Sequence, residues 1–118
     1  MATRKADAEW RGDLKNGTGK LRLGSGAFEG TFSFQSRMEN GTGTNPEELI
    51  AAAHAGCFSM QLSAMLAGNG HTPTRVHTDA QVHFGPDGGG FAISGIDLVT
   101  EGDVPGLSEA EFQKFAEE

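Results

Sequence analysis

Residues 44–70, TNPEELIAAAHAGCFSMQLSAMLAGNG, decide the fold. The stretch opens as a helix start: Asn45 suits the N-cap, Pro46 the first turn, and Glu48 stands three residues after the cap, as a capping box requires. Glu47 and Glu48 also lie at the positive end of the helix dipole, where carboxylates are favoured by roughly 0.3 to 1 kcal/mol each. From Pro46 the helix is expected to run roughly six turns to Gly68-Asn69-Gly70, residues suited to a left-handed C-terminal cap. After Glu48 no face of it carries a charge, so it has to be buried nearly all round. A chain of 118 residues can hardly wrap such a helix alone, which makes a partner subunit the expected cover. The segment Leu49 to Ala67 is near membrane-spanning length, but His54, Ser59, Gln61, Ser63 and its many alanines favour a buried helix of a soluble protein.

On either side of this helix the pattern is that of short strands. Eighteen glycines punctuate the chain, and those of the first third divide it into AEWRGDL, TGKLRLGSG and AFEGTFSF, which reads as antiparallel strands joined by tight turns. Phe28, Phe32 and Phe34 are evenly spaced and are expected on one face of that sheet. NGTGTNP, residues 40–46, reads as a loop. Beyond Pro73 the period is two: Val76, Thr78, Ala80, Val82 and Phe84 face one way, Arg75, His77, Asp79, Gln81 and His83 the other. The turn GPDGGG leads into FAISGIDLV, where Gly95 shifts the alternation as a bulge would, and the two segments read as a hairpin. A second helix is expected from Ser108, with Glu109 and Glu111 in its first turn. The fold class is therefore α+β, with antiparallel strands, a long central buried helix and a single domain over residues 1–118.

Composition narrows the function. With 36% hydrophobic and 21% charged residues the chain is globular, and its net charge of −7 argues against nucleic-acid or anionic-membrane surfaces. The N-terminal MATRKADAEW has no apolar run behind its cations, so a cytoplasmic location is expected. One cysteine permits no internal disulfide, leaving Cys57 as either a packed apolar residue or a working thiol. Mid-helix burial would raise its pKa, so reactivity there needs a stabilising cation. His54 and Cys57 at i and i+3 make only two potential ligands, and His71, His77 and His83 add no ligand-spaced pair, so no metal is expected. GxSxG, P-loop and dinucleotide fingerprints are all missing from the sequence.

The run TNPEELIAAAHAGCFSMQLSAML, preceded by FSFQSRMENGTG, resembles the family of osmotically inducible and organic hydroperoxide resistance proteins (OsmC/Ohr). The likeness extends through AEWRGDL, FAISGIDL and VPGLSEAEF. It implies an intertwined α+β homodimer acting as a thiol-dependent peroxidase without a cofactor, whose partners are an organic hydroperoxide and a dithiol reductant. By position, Cys57 matches the peroxidatic cysteine, Glu47 the glutamate of the NPE motif, and Arg37 the arginine of the osmotically inducible branch. Arg37 would then be the cation that Cys57 needs, held by the paired hydrogen bonds it donates to Glu47. The family's second cysteine, in a Cys-Pro context after the final helix, has no counterpart before residue 118, and the chain is expected to continue beyond it. The alternative is a dimeric stress or ligand-binding protein of the same fold without enzymatic activity. Glu47 and Cys57 stand ten residues apart, ~15 Å along a helix axis. They can share an arginine only if a second chain, packed antiparallel, brings its own Glu47 alongside, so active sites shared across the homodimer are expected.

Overall fold

A computed structural model describes residues 2–39 and 41–117, and Asn40, the first residue of the expected loop, lies outside them. The chain divides into two compact units, Met1–Leu49 and Ile50–Glu118. In the first, β1 (Ala6–Arg11), β2 (Thr18–Leu23) and β3 (Glu29–Phe32) form an antiparallel meander in that order. Trp10 pairs across from Gly19, and Gly19 from Phe32. The Trp10 and Phe32 rings close over this glycine with centroids 5.3 Å apart. Any Cβ at residue 19 would run into both rings. Gly19→Ala is thus expected to cost about 1–3 kcal/mol by overpacking, read as a lower denaturation midpoint; unchanged stability would show that the two rings can part without penalty.

Phe34 does not continue the face begun by Phe28 and Phe32. It starts a short helix, α1 (Phe34–Met38), capped by Ser33. The Ser36 N–H donates to Ser33 Oγ while the Ser33 N–H donates to Ser36 Oγ, a reciprocal box that competes successfully with strand extension. Arg37 therefore sits in the last turn of a helix rather than at a strand end. After α1 the chain returns toward β3: the Thr44 N–H donates to Thr31 O at 2.8 Å. Gly43 makes this approach possible with φ of +106°, and a side chain there would collide with Thr31 O.

The long helix α2 spans Pro46–Gly68, as the sequence predicts, and crosses the boundary between the units. Its start is capped by Asn45, whose Oδ1 accepts from the Glu48 N–H at 2.7 Å. Glu48 departs from the expected capping box, since its carboxylate accepts from Thr44 Oγ1 at 2.7 Å. At the other end the His71 N–H donates to Leu66 O and the Gly70 N–H to Ala67 O, a Schellman closure with Gly70 at φ +84°.

In the second unit β4 (Arg75–Asp87) and β5 (Gly90–Asp103) form an antiparallel hairpin. Burial alternates along β4 with the expected period of two. The register slips between His83 and Phe84, which pair with Gly95 and Ile93, leaving Ser94 as the extra residue of a bulge beside the predicted glycine. The Ser59 and Thr78 hydroxyls, 2.7 Å apart, tie α2 to this hairpin. Leu62 and Leu66 are buried, whereas Met60 is 76% exposed and Phe91, Ile93, Ile96 and Val99 also face outward. A lone chain thus leaves apolar surface uncovered on both the helix and the hairpin.

The last helix, α3 (Glu109–Glu117), starts in a capping box. Ser108 Oγ accepts from the Glu111 N–H, and Glu111 Oε1 accepts from both the Ser108 hydroxyl and the Ser108 N–H. The Ser108 hydroxyl chiefly, and then the Ser108 backbone, hold the Glu111 carboxyl below its ordinary pKa. A carboxyl whose pKa is depressed by folding adds stability above its unfolded pKa and loses it as pH falls through the folded value. Amide protection in the first turn of α3, taken relative to the unfolded chain at the same pH, should therefore fall on acidification, and Ser108→Ala should remove that acid dependence of the protection. An unchanged acid dependence in the alanine variant would assign it to another group.

Candidate active site

Two of the three candidate residues meet directly. Arg37 leaves the last turn of α1 and Glu47 the first turn of α2. Arg37 Nε donates to Glu47 Oε1 at 3.0 Å and Arg37 Nη2 donates to Glu47 Oε2 at 3.1 Å. This is the two-pronged guanidinium–carboxylate contact that a lysine cannot reproduce. The side chains differ in access: Glu47 is 11% exposed and Arg37 39%. The carboxylate is therefore the fixed, inner member, and the guanidinium is presented outward in a set orientation. Glu47 is further favoured by its place in the first turn of α2, at the positive end of the helix dipole.

Around this pair the chain is tied by a polar cluster. Ser36, next to Arg37, is only 5% exposed. Its hydroxyl donates to Thr44 O at 2.7 Å, and its own carbonyl accepts from Asn45 Nδ2 at 3.0 Å. Asn45 consequently serves two helices, capping α2 with its oxygen and holding α1 with its nitrogen. The sequence hint was the pair Ser33 and Ser36 at capping-box spacing, which the phenylalanine periodicity obscured.

Cys57 lies midway along α2 and is exposed. Ten residues of continuous helix separate it from Glu47, ~15 Å along the axis. In its own unit the next residue, Phe58, lines a cleft of about 420 Å³ with Leu98, Val99, Thr100, Gln113 and Ala116 among its walls. Among the described residues no three His, Cys, Asp or Glu side chains gather as metal ligands, and His54 is exposed like Cys57. Each unit thus carries one chemically capable group, the anchored Arg37 guanidinium in the first and the exposed Cys57 thiol in the second.

Residues 39–118 match the model of the family described as OsmC-like protein. The chain belongs to the OsmC family. Over 110 residues it is 46% identical to the peroxiredoxin OsmC of Escherichia coli strain K12, covering 92% of this chain and 77% of that protein. It is also 38% identical over 78 residues to the organic hydroperoxide resistance protein of Xanthomonas axonopodis pv. citri, covering 65% of this chain and 53% of the relative. Among solved structures, the organic hydroperoxide resistance protein OhrB of Bacillus subtilis superposes with a TM-score of 0.71 at 26% identity, over 96% of this chain and 81% of that one. Membership in the OsmC family gives the α+β class its wider setting, with antiparallel strands and a long helix shared across these structures.

Proposed function

We propose that this OsmC-family chain is a cysteine-based peroxidase that reduces organic hydroperoxides to alcohols, with Cys57 as the nucleophile and the Arg37–Glu47 pair as its electrostatic support. The observation that carries the reading is the two-pronged ion pair, which fixes a cation of the kind a mid-helix thiol needs. The Cys57 thiolate attacks the terminal oxygen of R–O–OH; an S–O bond forms as the O–O bond breaks. The bonding pair leaves on the alkoxide, which takes a proton to become the alcohol, and Cys57 becomes a sulfenic acid. Arg37 favours the thiolate before attack and the departing alkoxide during it, and Glu47 keeps the guanidinium in one plane. A dithiol reductant then closes the cycle: one thiol condenses with the sulfenic acid and releases water, and the second displaces Cys57 as the free thiol. No cofactor takes part in this scheme.

We propose further that the working unit is a homodimer in which Arg37 and Glu47 of one copy serve Cys57 of the other. The helix rise between Glu47 and Cys57 and the apolar surface left open on α2 and the hairpin both support this. By length and composition α2 could cross a membrane. Its buried leucines and its hydroxyl bond to Thr78, together with family membership, favour the central helix of a soluble protein. The two compact units are read as parts of one domain, since both α2 and the family match run through the boundary at residue 49.

A first test is thiol consumption: cumene hydroperoxide should remove one free thiol per chain, and a thiol that stays fully labelled would end the peroxidase reading. Substrate size supplies a second. Ala53, Phe58 and Met60 are apolar neighbours of Cys57 along α2, and burying a hydrocarbon tail contributes roughly 25 cal/mol per Å² that hydrogen peroxide cannot offer. Cumene hydroperoxide is expected to react faster than hydrogen peroxide by a factor of ten or more, on the order of 1.4 kcal/mol; equal second-order rates would contradict this.

A further inference from the structure

Arg37 and Glu47 belong to different helices, so their two-pronged contact depends on whatever fixes the end of α1 against the start of α2. Among the described residues, one cluster does this through side chains close to both partners. Ser36 precedes Arg37, and Asn45 stands two residues before Glu47. The Ser36 hydroxyl, buried with its residue, accepts from the Ser33 N–H at 2.8 Å and donates to Thr44 O at 2.7 Å. Its carbonyl takes the Asn45 amide N–H at 3.0 Å. The Arg37 N–H is itself committed to Ser33 O at 3.1 Å inside α1. Tilting α1 would therefore move the root of the arginine along with Ser36. Arginine has four rotatable side-chain bonds, and a small shift at the root is enough to break one of two parallel hydrogen bonds while sparing the other.

We infer that Ser36 is a positioning residue for the peroxidase reaction: its hydroxyl and carbonyl, held by Thr44 and Asn45, set the plane in which Arg37 meets Glu47 and hence the support given to the Cys57 thiolate. The inference rests on the proposed role of Arg37. It goes beyond that role by assigning to an uncharged, buried serine a share of the thiol's reactivity. Asn45 acts in the same device through Nδ2, a function separate from its cap on α2 through Oδ1.

The test is a double-mutant cycle on the full chain, reading both the second-order rate with cumene hydroperoxide and the Cys57 thiolate titration by ultraviolet absorbance. Ser36→Ala should lower the rate between roughly ten- and a hundredfold, the usual effect of a small misplacement at a reacting centre, and raise the pH at which the thiolate forms. Ser36→Thr, which keeps the hydroxyl, should restore most of both. In an Arg37→Ala background the same Ser36→Ala change should have almost no further effect, because residues acting through one group are not additive. Asn45→Asp keeps a good N-cap but removes the donor to Ser36 O, and should reproduce the rise in the titration; it carries the test if Ser36→Ala does not fold. Full additivity with Arg37→Ala, or an unmoved titration in both Ser36→Ala and Asn45→Asp, overturns the inference. If Arg37→Ala itself leaves rate and titration unchanged, it is the underlying role of Arg37 that fails.

Discussion

Cys57→Ser is expected to abolish hydroperoxide reduction, lowering the second-order rate by at least roughly four orders of magnitude. A serine hydroxyl occupies nearly the same volume at an exposed position of α2, so helix content and thermal stability should stay within about 0.5 kcal/mol of the parent. The reason for so large an effect is chemical. Reduction of a peroxide needs an atom that can donate an electron pair to oxygen and then hold that oxygen as a stable sulfenic acid, and an alcohol does neither. Peroxide consumption by the serine variant above the uncatalysed rate would move the chemistry away from the thiol.

The second large effect is expected at Arg37. Arg37→Ala should slow attack by roughly 10²–10³-fold, the usual cost of removing one charged donor aimed at a developing anion, and should raise the pH at which Cys57 becomes thiolate. It also strands the buried Glu47 carboxylate without the two N–H donors it now accepts, so some loss of stability accompanies the kinetic change. Arg37→Lys separates charge from geometry. It returns a positive charge but only a point-like ammonium, and should recover part of the rate while losing the planar two-bond contact. Lysine equal to arginine would show that charge alone matters; alanine equal to arginine would remove the residue from the site.

What the sequence disclosed and what it withheld follow from the range of the interactions involved. The start and stop of α2, the alternation along β4 and the bulge beside Gly95 depend on neighbours a few residues apart, and each stands where local chemistry predicts. Phe34 was misplaced because its even spacing from Phe32 outweighed a two-serine capping box, a weaker signal than a Ser-to-Glu one. Glu48 illustrates the same limit: its spacing from Asn45 was right, yet the Thr44 hydroxyl captured its carboxylate. The family motif singles out Arg37 and Glu47 as candidates, and their two-pronged contact is an expectation the geometry matches. Of Ser36 only the capping-box spacing to Ser33 is legible, because its bonds to Thr44 and Asn45 exist only once those residues are folded back beside it.

If Cys57 of one copy works with Arg37 and Glu47 of another, as proposed, a mixed dimer of two complementary variants should regain activity. Cys57→Ser chains keep an intact Arg37–Glu47 pair, while Arg37→Ala chains keep an intact thiol, and neither homodimer has a complete site. Co-expressed with different tags and isolated as the mixed species, the two should assemble one complete site per dimer. Activity should then return to about half that of the parent dimer, far above either variant alone. A mixed dimer no more active than the Arg37→Ala homodimer would place thiol and arginine in the same chain and rule out the shared site.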